Sequence, residues 1–283
     1  MTEWLMPLNS HKPTPYFLYG TAWKEGRTAR LTEAAIRSGF RGIDTANQRK
    51  HYFEAAVSKG IAAAYADGIV SRNDLFIQTK FTYMRGQDHR LPYNPEASLS
   101  VQVAQSMASS LEHLVTDYVD SYVLHGPAGV YDWTDADAEV WAAMQAERDA
   151  GRAFALGVSN ISLRQLEQMV TAHGDAPAFV QNRCYARLGW DREARAFCQK
   201  LGIVYQGFSL LIANIDALNH EYVINRARQY HATQAQIIFS FALAVGMLPL
   251  TGTSNLEHMA QDLGSAAVVL PSEEVQTIES LAG

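Results

Sequence analysis

The sequence predicts an α/β fold of the (β/α)8, or TIM barrel, class. Three observations carry this. Short apolar runs of strand length alternate with stretches of helical spacing about eight times along the chain. Strict alternation implies a parallel sheet with right-handed crossovers, and eight such units in 283 residues match a closed barrel. No Gly-x-Gly-x-x-Gly turn follows any strand, which disfavours the doubly wound open sheet as the alternative.

The elements follow in order. Met1–Pro15 is polar, holds three prolines and reads as a surface lead-in. Tyr16–Thr21 is apolar with Gly20 near its end, and reads as the first strand. Arg27–Ser38 puts Leu31, Ala34, Ala35 and Ser38 on one helical face, and Gly39 stops it. Gly42–Thr45 is a second buried strand, with Ile43 inward, followed by a helix over Glu54–Tyr65. Asp74–Phe81 is the third strand. A polar excursion, Thr82–Pro95, comes next, and loops of that length usually carry function. Glu96–Leu114 is helical, Val119–Leu124 the fourth strand, and Asp135–Ala150 a helix ended by Gly151. Ala153–Val158 is the fifth strand. The next helix, Ser162–Ala172, opens on a capping-box pattern, Ser162 with Gln165. Ala178–Cys184 is strand six, Asp191–Leu201 a helix, and Ile203–Phe208 strand seven. Helices over Glu221–Tyr230 and Thr233–Val245 precede strand eight, Met247–Leu250. Helices over Leu256–Gly264 and Ser272–Leu281 close the chain.

Composition narrows the function classes. The chain is 48% hydrophobic and 18% charged, enough for one large core, and residues 1–283 read as a single domain. No apolar run reaches a membrane span, and the start shows no signal-peptide pattern. The net charge of −6 with scattered basic residues argues against a nucleic-acid surface. Cys184 and Cys198 lack metal-ligand spacing and read as reduced thiols of a cytoplasmic protein, so no metal site is expected.

In a barrel the carboxyl ends of the strands converge on one mouth, where such folds carry their chemistry. Strand two ends in Asp44, strand three in Lys80 and strand four in His125. A lysine inside an apolar run needs an anionic partner, because burying a lone ammonium is costly. Asp44, one strand away, is that partner. Such a pair beside a tyrosine is expected to lower the phenol's pKa and ease its proton transfer, while His125 orients a carbonyl or shares the proton. The structural alternatives are a snorkelling Lys80, a hydrogen-bonded core His125 and a helix-capping Asp44.

These motifs resemble one family. Gly42-Ile43-Asp44-Thr45-Ala46, Tyr52-Phe53-Glu54, Gln78-Thr79-Lys80, Val119-Asp120-Ser121-Tyr122-Val123-Leu124-His125 and Leu156-Gly157-Val158-Ser159-Asn160 resemble, in order, the aldo-keto reductases. The resemblance spans about Gly20 to Asp262. It implies a barrel oxidoreductase that reduces a small-molecule carbonyl with a nicotinamide cofactor, NADPH, with NADH as the alternative. By resemblance the catalytic tetrad falls on Asp44, Tyr52, Lys80 and His125. The pro-R hydride would attack the carbonyl carbon while Tyr52 protonates the oxygen. Cofactor-binding positions fall on Gly20, Thr21, Ala22, Asp44, Ser159, Asn160, Gln181, Phe208, Ser209, Leu211, Gly252, Thr253, Ser254, His258 and Asp262. Phe208 takes the place of a tyrosine stacked on the nicotinamide ring. Trp23, Tyr52 and His125 line the substrate pocket.

The sequence departs from the family pattern at several points. The usual aspartate-to-tyrosine spacing lands on Arg49, and counting back from Glu54 lands on His51. Tyr52 therefore requires a local insertion, and His51 stays open as the proton donor. Gly126 stands where a tryptophan is common, which widens the pocket; Tyr83, Met84, Tyr131 and Trp133 are candidates to line it again. The lysine and arginine that grip the 2′-phosphate of NADPH are replaced by Gly252 and His258. Thr253, Ser254 and Asn255 remain to hydrogen-bond a phosphate at the next helix start, so discrimination between NADPH and NADH should be weak. The sequence also stops soon after its last helix, which is read as an open mouth suited to larger carbonyls. Two other functions remain: a nucleotide-binding barrel subunit without catalysis, and a specialised biosynthetic enzyme acting on a C=N bond or another intermediate.

Overall fold

The computed structural model describes residues 13–281. Most of the polar lead-in read over Met1–Pro15 lies outside them. Eight parallel strands close into one barrel in sequence order: β1 Leu18–Gly20, β2 Gly42–Asp44, β3 Phe76–Phe81, β4 Val119–Leu124, β5 Ala153–Ser159, β6 Phe179–Arg183, β7 Val204–Phe208 and β8 Leu248–Thr251. The helices between them are α1 Thr28–Ser38, α2 Glu54–Ala66, α3 Leu99–Leu114, α4 Asp135–Asp149, α5 Leu163–His173, α6 Arg192–Lys200, α7 Ile215–Leu218, α8 Glu221–Gln229 and α9 Gln234–Ala244. Two more, α10 Leu256–Gly264 and α11 Ser272–Ser280, follow β8. The predicted (β/α)8 class is the observed one.

Element ends differ where local hydrogen bonds compete. Asp74 does not enter β3, because its carboxylate accepts from the Ser71 amide and hydroxyl and closes a turn. The third helix starts at Leu99, after Ser98 accepts from the Val101 amide. The Ser162–Gln165 capping box forms as the pattern indicates.

Side chains alternate in and out of the barrel wall. Leu18, Phe76, Ala155, Phe179, Val204 and Leu248 fill its lower interior, with Phe76 and Phe179 edge to face at 5.6 Å. The larger core lies between strands and helices and includes Ile43, Val57, Leu166 and Ile237. Gly60 lets α2 approach α1. A Cβ there would fall 2.4 Å from the Ala29 carbonyl oxygen and 2.8 Å from Thr32 Cβ. Register then sets the next interior layer. Gly20 is level with Asp44, Asp44 with Gln78, and Gln181 with Gln206, so a carboxylate and three amides share one level above the apolar plug.

Candidate active site

The layer above the plug is a closed hydrogen-bonded floor. Gln78 Nε2 donates to Asp44 Oδ1 at 2.7 Å and to Gln206 Oε1 at 2.9 Å. Gln181 Nε2 donates to the same two acceptors, at 3.1 and 2.9 Å. Gln206 returns a bond to Gln78 Oε1 at 3.0 Å. Each of these polar side chains is buried, so each needs its partners. The Asp44 carboxylate is thereby held from below, and Lys80 holds it from the side.

Lys80 is fully buried. Its ammonium donates to Asp44 Oδ1 at 2.6 Å and to the Thr45 carbonyl at 2.8 Å. Burial lowers the Lys80 pKa, and the Asp44 carboxylate opposes that shift. The expected pairing across adjacent strands is therefore present, and the snorkelling alternative does not hold. Lys80 Nζ also lies 5.3 Å from the centroid of the Tyr52 ring. The Tyr52 ring meets the His125 ring edge to face, 5.9 Å between centroids. The four side chains read from the strand ends and the following loop thus meet at one point of the mouth.

The electrostatics differ from the sequence reading in one respect. The Tyr52 phenol is raised above its ordinary pKa, first by burial and then by the Asp44 carboxylate. Lys80 gives its donors to Asp44 and Thr45 rather than to the phenol oxygen, and the phenol stays raised. The phenol is accordingly a protonated donor at neutral pH. His125 is pushed down to about 3, first by burial and then by the Lys80 charge, and is neutral. Its Nδ1 lies 2.7 Å from Thr82 Oγ1.

His51 lines the same crevice as Tyr52 but is turned against Trp23. Its ring stacks on Trp23 at 3.8 Å between centroids, and Trp23 N donates to the His51 carbonyl at 2.7 Å. Its Nδ1 is 2.9 Å from Gln48 Oε1, while Gln48 Nε2 donates to the Gly86 carbonyl at 2.6 Å. A carbonyl can only accept, so the Gln48 oxygen must face His51, and Nδ1 carries the proton. Nε2 is then a bare acceptor, and burial followed by the Lys50 charge lowers the pKa further. At neutral pH this imidazole has no proton to give from Nε2. A crevice of about 220 Å³ runs between Trp23, Arg49, His51 and Tyr52.

The residues read as cofactor positions form a band at the ends of β1 and β5 to β8. Thr21 donates from N and Oγ1 to the Asp44 carbonyl, at 3.0 and 2.9 Å, and Ala22 follows half-buried. Ser159 is buried at the end of β5. Asn160 takes a left-handed φ of 52°. Its side-chain amide donates to the His125 carbonyl at 2.8 Å and to Ser159 Oγ at 3.1 Å. Phe208 is half-buried under the Arg183 guanidinium, 5.6 Å from the ring centroid. Ser209, at φ 58°, and Leu211 continue that wall.

On the β8 side, Thr253 accepts from the Tyr19 hydroxyl through its carbonyl at 2.9 Å. Gly252 accepts likewise from the buried Lys24 ammonium, which reaches across from the β1 loop. Ser254 and His258 are exposed. Asn255 Oδ1 already accepts from the Glu257 and His258 amides, at 2.8 and 3.5 Å, so it caps the helix start that was read as a phosphate site. Asp262 is buried, accepts from Thr251 Oγ1 at 2.8 Å, and is pushed up to about 6 by burial.

Sequence reasoning did not pick out Gln206, Thr82, Lys24 or Arg183. Inward alternation two residues before Phe208 was the available signal for Gln206. Two loop aromatics offered as pocket lining serve packing. Tyr83 donates to Asp137 Oδ1 at 3.0 Å, and Trp133 Nε1 donates to His173 at 3.1 Å. Cys184 and Cys198 are buried free thiols, each pushed up to about 12 mainly by burial. Among the described residues no group of three histidine, cysteine or carboxylate side chains is arranged to hold a metal, and no helix is long and apolar enough to cross a membrane.

Known proteins are similar to this chain in sequence and in fold. A family model described as the aldo/keto reductase family matches residues 19–282. A prostaglandin-E(2) 9-reductase of Oryctolagus cuniculus is 29% identical, over 91% of this chain and 83% of its own. An NAD/NADP-dependent indole-3-acetaldehyde reductase of Schizosaccharomyces pombe is 26% identical, over 95% and 91%. Among solved structures, the Bombyx mori aldo-keto reductase AKR2E4, crystallised in complex with NADP, superposes with a TM-score of 0.81 at 25% identity, covering 98% of this chain and 92% of that one.

Proposed function

The chain belongs to the aldo/keto reductase family, and on that premise we propose that Tyr52 is the proton donor of an NAD(P)H-dependent carbonyl reduction, served by Lys80, Asp44 and His125. The observation that carries this reading is the position of Tyr52. Its ring lies against both the Lys80 ammonium and the His125 imidazole, and its phenol is kept protonated by burial.

A nicotinamide nucleotide fits the band of residues beside it. Among the described residues Gln181 Oε1 has no protein partner, while its Nε2 is committed to the floor. It therefore offers an acceptor for a carboxamide N–H, with Ser159 and Asn160 alongside. Phe208 offers a half-exposed aromatic face for the ring. When bound, the cofactor supplies hydride to the carbonyl carbon. The protein's residues do the rest. His125, neutral, donates a hydrogen bond to the carbonyl oxygen and orients it. As charge develops on that oxygen, the Lys80 ammonium stabilises it through the adjacent phenol, and Tyr52 gives up its proton. An alkoxide is a stronger base than a phenolate, so the transfer runs downhill even from a raised phenol. Asp44 keeps the ammonium in place and charged.

The substrate class is a small-molecule carbonyl. Dual use of NADPH and NADH agrees with the replaced phosphate grip, and the S. pombe relative is by name NAD/NADP-dependent. The two buried free thiols agree with a cytoplasmic setting. The test follows nicotinamide absorbance over a panel of aldehydes and ketones. Tyr52→Phe should lower kcat by about 10²–10⁴-fold, whereas His51→Ala should cost less than about tenfold. The opposite ranking would reassign the proton donor to His51.

A further inference from the structure

We propose that Thr82 is a positioning residue that fixes the tautomer of His125, donating its hydroxyl hydrogen to Nδ1 so that Nε2–H is the group presented to the substrate oxygen. This inference rests on the reductase reading for its catalytic meaning, but its geometry stands apart from it.

Register brings the two residues together. Phe81 and Leu124 are paired across β3 and β4, and His125 N donates to the Phe81 carbonyl at 2.9 Å, so the next residues on each strand lie side by side. Thr82 is buried and held. Its carbonyl accepts from the Tyr93 hydroxyl at 2.8 Å and from Gln87 Nε2 at 3.4 Å. Its methyl packs where Gly86 has no side chain; a Cβ there would lie 2.7 Å from Thr82 Cγ2. That leaves Oγ1 turned to His125 Nδ1 at 2.7 Å.

The direction of that bond follows from satisfaction. Among the described residues Thr82 Oγ1 has no other hydrogen-bond partner. Were Nδ1 the donor, the buried hydroxyl hydrogen would be left without an acceptor, a loss that buried polar groups avoid. With Thr82 donating, both groups are satisfied. Burial and the Lys80 charge also keep the ring from taking a second proton. A neutral histidine can donate from one nitrogen only, and Thr82 selects Nε2. The contact therefore turns an adaptable ring into a one-way donor.

The test is the ¹⁵N spectrum of the histidine-labelled chain, with the His125 signals assigned by their loss in His125→Gln. A protonated Nε2 beside a bare Nδ1 is the expected result in the wild type. Thr82→Val, which keeps the shape and removes the hydroxyl, should shift the His125 nitrogens towards tautomer averaging. It should also lower kcat on an aromatic aldehyde about tenfold at unchanged KM for NADPH, and Thr82→Ser should restore both. A wild-type spectrum with the proton on Nδ1, or a Thr82→Val spectrum identical to wild type, overturns the proposal. If the wild type reduces no carbonyl, the reductase reading fails while the spectrum still decides the role of Thr82.

Discussion

Replacing Asp44 by asparagine removes one charge and little else from a fully buried site, so its cost can be worked out. Asp44 Oδ1 accepts from Lys80, Gln78 and Gln181. An amide oxygen at the same place still accepts from all three. What disappears is the charge opposite a lysine with no exposed surface. Breaking a buried ion pair from one side costs about 3–5 kcal/mol. The lysine can escape by losing its proton, which from an ordinary pKa costs about 5 kcal/mol at pH 7 and caps the penalty. The cap falls by about 1.4 kcal/mol per pH unit.

The sign of the pH dependence follows. Burial already lowers the Lys80 pKa against the pull of Asp44, and without that pull it falls further. Between the lowered folded value and the ordinary lysine value the unfolded chain binds the extra proton, so stability of the variant rises with pH through that window. Urea unfolding of wild type and Asp44→Asn should therefore show a deficit of about 3–5 kcal/mol near pH 7, shrinking towards pH 9.5. Adding Lys80→Met should recover most of it at pH 7. A deficit below about 1 kcal/mol, or one that does not change with pH, refutes the claim that a charged Lys80 depends on Asp44.

Other outcomes can be measured in parallel. Asp262, raised to about 6, favours the fold when protonated, so its contribution is complete below the ordinary aspartate pKa and is lost as pH rises through about 6. Asp262→Asn should therefore stabilise the protein by up to about 2–3 kcal/mol near pH 8 and by almost nothing near pH 4, read as the Tm difference at each pH. Gly60→Ala should gain about 1 kcal/mol of helix propensity and lose about 1–3 by collision with Ala29 and Thr32, for a net fall in Tm. Kd values for NADPH and NADH, from quenching of protein fluorescence, should differ by less than about tenfold if Gly252 and His258 replace the lysine and arginine grip as the resemblance implies. A strong NADPH preference would mean that another cation, with Lys24 the first to mutate, grips that phosphate.

Much of this was legible in the order of residues because the deciding signals are local. Short apolar runs mark the strands, Gly39 and Gly151 mark helix ends, and Ser162 with Gln165 marks a helix start. A lysine in the apolar run Leu75–Phe81 points to a buried partner, with snorkelling as the alternative that its full burial removes. The parts that were not legible depend on what a distant segment brings. The four-residue helix Ile215–Leu218 is too short to leave a periodic trace. Gln206 gains its meaning from Gln78, which lies 128 positions away. The rise of the Tyr52 pKa comes chiefly from enclosure by other elements, which a pattern of neighbours along the chain does not report. His51 and Tyr52 are adjacent in sequence, yet Gln48 and Trp23 turn one aside while Lys80 and His125 receive the other.

The three interlocked glutamines beneath Asp44 carry a last implication. Amides neither take up nor release protons at accessible pH, and the plug described beneath them is built of Leu18, Phe76, Ala155, Phe179, Val204 and Leu248. The glutamine floor itself therefore offers no titratable group to relay protons down the barrel axis. On the proposed role of Tyr52, re-protonation of its phenol would then come from the mouth side and be sensitive to how a bound substrate covers it.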